Sequence, residues 1–270
     1  MNVALRFVLA AAVVFVARSY PSLSITNALA ALFLCAALGA VAVRSTAAGS
    51  ALVAILTGLC FIPTAFINIT EAVLFDLVDV TAAPVALARD LGVAIIAGTA
   101  VAAVVGRLRT PAAPVDALTP APPPVHSVPS LLWRLGAAAA VFVLCYFVVG
   151  AAIYPLVRDY YGGRPIPPVE SIVSMQVLRG VALVAAMYPA IRTIPSRRTS
   201  QWLFAAVLPV LGAVVPLLPE NTVMPLPMRV VHGVEIASYY TLYGFLVATW
   251  FSVRRRPSER PIGEVAPVPH

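Results

Sequence analysis

Apolar runs long enough to cross a lipid bilayer recur from one end of this chain to the other, and six ionisable side chains stand inside them. The runs constrain the fold before anything else does. A backbone in hydrocarbon has no water to bond to, so it must satisfy its own N–H and C=O groups, and a helix does so within one segment. Of the 270 residues 61% are hydrophobic and 11% are charged, against about a half and a quarter in soluble domains. The expected fold class is all-α: a polytopic transmembrane helical bundle with the lipid bilayer as its first partner. No stretch is left for a separate soluble domain.

About eight spans are expected, near Val3–Ala17, Thr26–Val43, Ala51–Phe75, Ala82–Val105, Leu131–Leu156, Ser171–Ile191, Gln201–Leu218 and Val230–Phe251. The first also has the outline of a signal peptide, with Arg6 ahead of an apolar stretch. Arg18, Ser19 and Tyr20 make a poor cleavage site, so a retained helix is the reading. Residues 1–107 form a first membrane half of four spans and residues 131–252 a second. Between them, residues 108–130 form a Pro/Ala-rich cytoplasmic linker. Its stretch Pro111–Ser130 has no aromatic residue to bury and is expected to be extended. Residues 253–270 form a basic, disordered cytoplasmic tail. A 4+4 arrangement raises the question of an internal repeat. Leu5–Ala17 and Trp133–Tyr146 look alike, but both are rich in Ala and Val, which produces such likeness without kinship. An even number of spans per half would make a repeat parallel rather than inverted.

All 18 Lys and Arg residues are Arg, and most of them collect on one set of loops. Arg6, Arg44, Arg107, Arg109, Arg134, Arg192, Arg197, Arg198 and the tail arginines fall on one side. Arg18, Arg158, Arg164 and Arg229 fall on the other, together with Asp76, Asp79, Asp159, Glu170 and Glu220. This is the pattern of a topology signal rather than of a nucleic-acid surface. It predicts a multi-pass protein of a cell membrane, the bacterial inner membrane, with both termini cytoplasmic. Cys35, Cys60 and Cys145 lie in apolar runs without metal-type spacing and read as small core residues.

The six intramembrane ionisable residues are Glu71, Arg89, Asp90, Arg179, His232 and Glu235. Each is costly in lipid and needs a partner or a watery cavity. Given the orientation above, all six fall in the outer half of the membrane, with Arg179 deepest at about 13 Å from the start of its span. Helical spacing adds polar stripes: Cys60, Thr64, Asn68 and Glu71 in span three, Gln176 and Arg179 in span six, and His232, Glu235, Tyr239 and Tyr243 in span eight. The candidate pocket is therefore Asn68, Glu71, Arg89, Asp90, Gln176, Arg179, His232, Glu235 and Tyr239. It is expected to open outward, with Arg179 at its base as partner of Glu71, Glu235 or Asp90, or as binder of a small polar or anionic ligand.

His232 and Glu235 stand one turn apart and suit a hydrogen bond or a proton relay. With Glu71 they offer a less favoured three-ligand metal set, and neither metal nor cofactor is expected. No HExxH, Walker loop, Rossmann fingerprint or nucleophile elbow is present. Three function classes stay open. The favoured one is a small-solute or ion permease. The others are a membrane-embedded enzyme acting on a lipid or isoprenoid, and a structural or accessory subunit.

Overall fold

The computed structural model describes residues 3–19, 24–106, 127–161, 167–220 and 224–252. Most of the linker, the tail, and Arg107, Arg109 and Arg164 lie outside the described residues. All regular structure among the described residues is helical. There are eight rods: α1 (Val3–Ser19), α2 (Ile25–Arg44), α3 (Gly49–Leu74), α4 (Ala83–Val104), α5 (Val128–Tyr161), α6 (Val169–Thr193), α7 (Arg197–Leu217) and α8 (Leu226–Phe251). Six of them, α2 to α7, are long and apolar enough to cross a membrane. The first helix has 17 residues and is not among the six, nor is α8.

Local chemistry sets the ends. Ser24 Oγ accepts the Asn27 N–H at 3.2 Å and starts α2, and Ser196 Oγ accepts the Thr199 N–H at 3.2 Å and starts α7. Pro84 and Pro227 occupy the first turns of α4 and α8, where a missing N–H costs nothing. Asp76 follows α3 with φ of 54°, a conformation that Asp tolerates better than most residues. In the same loop, Asp79 accepts the Thr81 N–H at 2.7 Å and its hydroxyl at 2.8 Å. Those two bonds, the backbone one foremost, hold its carboxyl below the usual range. The fifth helix starts at Val128 rather than Leu131 and continues to Tyr161, so residues 128–130 of the expected linker are helical. Its 34 residues, about 50 Å at 1.5 Å per residue, exceed a bilayer core of about 30 Å.

Two rods contain π-turns. In α3 the turn is Ile62–Phe66, with Pro63 inside it; in α7 it is Val210–Val214, directly after Pro209. A proline cannot donate to the carbonyl four residues back, so the ladder widens. The Ile67 N–H reaches the Ile62 carbonyl, and the Val215 N–H reaches the Val210 carbonyl. Each turn follows 13 residues of ordinary α-helix.

Packing follows one order twice. In the first half α1 lies against α2 and α4, and α4 against α3. In the second, α5 lies against α6 and α8, and α8 against α7. Glycines permit the close approaches. A Cβ on Gly98 of α4 would stand 2.9 Å from Thr57 Oγ1 and 3.1 Å from the Val53 carbonyl of α3. A Cβ on Gly244 of α8 would stand 2.4 Å from the Phe204 carbonyl of α7. The halves meet through α2 on α7 and α3 on α6. At one end of this junction Ser45 Oγ donates to Thr193 Oγ1 at 2.8 Å, and the Thr46 N–H to the Thr193 carbonyl at 2.8 Å. Arg44, Arg192, Arg197 and Arg198 flank that end. The buried core, continuous through both halves, includes Leu34, Leu38, Leu56, Phe142, Phe204, Tyr239, Tyr240 and Tyr243.

Candidate functional site

The polar cluster forms at the end of the bundle opposite Ser45 and Thr193. Glu71 lies one turn from the C-terminus of α3, where Asn68 donates to the Pro63 and Thr64 carbonyls opened by the π-turn. Arg179 comes from the neighbouring α6. Its guanidinium is only 3% exposed and pairs through Nη2 with Glu71 Oε2, while Nη1 donates to Gln176 Oε1 at 3.2 Å. Of the three acidic candidates for Arg179, the geometry selects Glu71. Arg179 Nε has no hydrogen-bond partner among the described residues.

The eighth helix supplies the second pair. His232 Nδ1 and Glu235 Oε2 are 3.0 Å apart, with side chains 19% and 13% exposed. The pair shares a hydrogen between Nδ1 and Oε2, which leaves Nε2 as the ring nitrogen directed away from Glu235. The pairs belong to one electrostatic unit: Glu71 and Arg179 both act on His232, and Glu71, Arg179 and Glu235 all act on Tyr239. Tyr239 and Tyr240 lie near Arg179, and both rings are buried against Phe142 at centroid distances of 5.7 and 6.0 Å. Tyr243, one turn further in, donates to the Gly180 carbonyl at 2.7 Å. The fifth helix approaches with Gly150, where an added Cβ would lie 3.4 Å from Glu235 Oε1.

Arg89 and Asp90 do not join this unit, a correction to the pocket expected from sequence. Arg89 is exposed and donates to the Arg18 carbonyl at 3.3 Å, and Asp90 is an electrostatic neighbour of Arg18. Adjacent residues point about 100° apart on a helix, and α4 turns this pair toward α1 instead. At the base of the expected pocket, Arg179 pairs with Glu71, one of the alternatives the sequence left open. No group of three or more His, Cys, Asp or Glu able to hold a metal occurs among the described residues.

Arg18 and Arg229, expected from sequence among the loop charges, both bond carbonyls at a helix end. Arg18 Nη2 donates to the Val215 carbonyl at 3.0 Å. Arg229 Nη1 donates to the carbonyls of Leu217, Leu218 and Pro219, the last at 2.5 Å. The free carbonyls at the end of α7 are the signal that calls for such donors. Two open grooves lie away from the cluster. One, about 680 Å³, runs between α2 and α7; the other, about 650 Å³, lies on α3 beside Ile95. Comparison with protein-family models, curated proteins and solved structures finds no match.

Proposed function

We propose that the chain is a proton-coupled permease for a small solute or ion, with His232 and Glu235 as its proton carrier. The observation that carries the reading is geometric: two carboxyl side chains, Glu71 and Glu235, stand with a single Arg179, and His232 Nδ1 is 3.0 Å from Glu235 Oε2. Two acids against one arginine leave a place for one proton or one small cation, and an imidazole beside a carboxyl group is a common proton carrier. Partial exposure of Glu71, His232 and Glu235 gives that proton a route, while Arg179 beneath them stays sealed.

All eight rods cross the membrane in this proposal. The short α1 is sheltered by α2 and α4, and the polar face of α8 by α5 and α7. The arginine-rich end is cytoplasmic, both termini with it, so the cluster lies on the outer side of a bacterial cell membrane. A parallel 4+4 repeat is part of the same proposal. Four features support it: the repeated packing order, π-turns after 13 residues in the third helix of each half, Arg44–Ser45 and Arg192–Thr193 ending the second helices, and the contact between Ser45 and Thr193. Equivalent residues that touch each other are expected beside a two-fold axis.

The test uses the full chain in liposomes holding a pH-sensitive dye, challenged with small amines, amino acids and monovalent cations. Some of these are expected to drive proton movement that His232→Gln abolishes, down to the level of protein-free liposomes. Undiminished proton movement in His232→Gln would remove the proton-carrier role. A second reading, a structural subunit, is favoured by one observation, the closed Arg179–Glu71 pair. It predicts no solute-driven proton movement in the native chain.

A further inference from the structure

We infer that the groove between α2 and α7 is a binding site for an anionic phospholipid in the leaflet at the arginine-rich end. The groove is built for a molecule with a charged head and an apolar tail. Arg44 and Arg198 stand at one end with Ser196 and Thr199, and Ala36, Ala37, Ala40, Ala206 and Val207 line the rest. Small side chains leave a channel about 680 Å³ in volume, open along its length. Phe33 and Trp202 border it and are 43% and 62% exposed, as suits side chains facing acyl chains. Trp202 lies one turn into α7, at the depth where tryptophan meets the headgroup layer.

The head end is positive three times over. Arg44 spends one donor on its own Ala40 carbonyl and keeps the rest. Arg198 is exposed and has no hydrogen-bond or ion-pair partner among the described residues. The N-terminus of α7 starts here, and Ser196 caps only the Thr199 N–H. The N–H groups of Arg197 and Arg198 add the positive end of a helix dipole to two guanidinium groups. A phosphodiester bearing a net negative charge matches this set, and basic grooves between membrane helices hold such headgroups. A zwitterionic lipid brings an ammonium that the arginines repel. The other groove, on α3 beside Ile95, is lined by Gly49, Ser50, Val53, Ala54, Thr57 and Gly58 and carries neither arginine nor tryptophan. The preference is therefore confined to the groove between α2 and α7.

The inference is independent of transport, and so is its test. The purified full chain in detergent is heated with phosphatidylglycerol, phosphatidylcholine or inorganic phosphate. Phosphatidylglycerol is expected to raise the unfolding temperature by about 3 °C, and the other two to have no effect. In Arg44→Gln/Arg198→Gln the rise is expected to vanish, while Arg192→Gln, at the same end but off the groove, keeps it. An equal rise in the double variant, or with phosphatidylcholine, overturns the site; a rise with phosphate alone replaces the lipid by a free anion. A second readout needs no arginine variant. With Trp133 and Trp250 replaced by Phe, brominated phosphatidylglycerol is expected to quench Trp202 more strongly than brominated phosphatidylcholine. Equal quenching contradicts the proposal.

Discussion

Replacing Glu71 by Leu is expected to cost the folded chain about 3–5 kcal/mol, and adding Arg179→Met is expected to recover most of that loss. The asymmetry follows from where each charge sits. Arg179 is almost fully buried and cannot lose its proton, so without Glu71 its remaining partner among the described residues is the Gln176 amide oxygen. An uncompensated guanidinium in a low-dielectric core is far worse than no charge at all. Removing both charges leaves two apolar side chains of similar volume between α3 and α6, a substitution that is often neutral. Glu71 keeps about a fifth of its side chain exposed, which lets water soften the penalty toward the lower figure. The measurement is reversible unfolding in mixed micelles for both single variants and the double variant. Additive losses would show that the two residues do not act as a pair.

The second large effect concerns helix contact rather than charge. Gly244→Ala is expected to destabilise by about 3 kcal/mol and Gly98→Ala by about 1–2 kcal/mol, while Gly92→Ala and Gly233→Ala are neutral or slightly stabilising. At Gly244 the new methyl meets the Phe204 carbonyl at 2.4 Å, and a backbone atom cannot rotate out of the way. Gly98 meets Thr57 and Val53 at about 3 Å, so a shift of a few tenths of an ångström suffices. Nothing lies within 4 Å of a Cβ on Gly92, and Gly233 meets only Leu217 at 3.6 Å. The same unfolding experiment reads all four. A cost at both Gly98 and Gly244, though of different size, fits a tandem repeat, because each sits where the fourth helix of its half crosses the third. Tolerance of alanine at Gly244 would deny the contact.

Hydropathy made the all-helical membrane fold legible, and helical spacing pointed to two contacts of the cluster, Gln176 with Arg179 and His232 with Glu235, each three residues apart on one helix. The pairing of Arg179 with Glu71 joins two helices, and sequence offered it only as one of three acidic partners. Spacing along one helix cannot say which neighbour a residue faces, so Arg89 and Asp90 fitted the depth and missed the cluster. Tyr240 lies off the polar stripe by one residue, yet it is buried against Phe142 and Tyr239 because α8 is enclosed on several sides. Arg18 and Arg229 were placed as loop charges. Their role depends on carbonyls at the end of α7, a tertiary fact with no local pattern. Pro63 and Pro209 signalled disturbed helices, while the π form of the disturbance depends on what packs around it.

The most direct measurement is the accessibility of position 232. In a chain with Cys35, Cys60 and Cys145 replaced by Ala, His232→Cys is exposed to a membrane-impermeant maleimide added to one side of the membrane at a time. Labelling is predicted from the side opposite the arginine-rich end, with protection from the other. Labelling only from the arginine-rich side, or none in the folded protein, would contradict an outward-facing polar site.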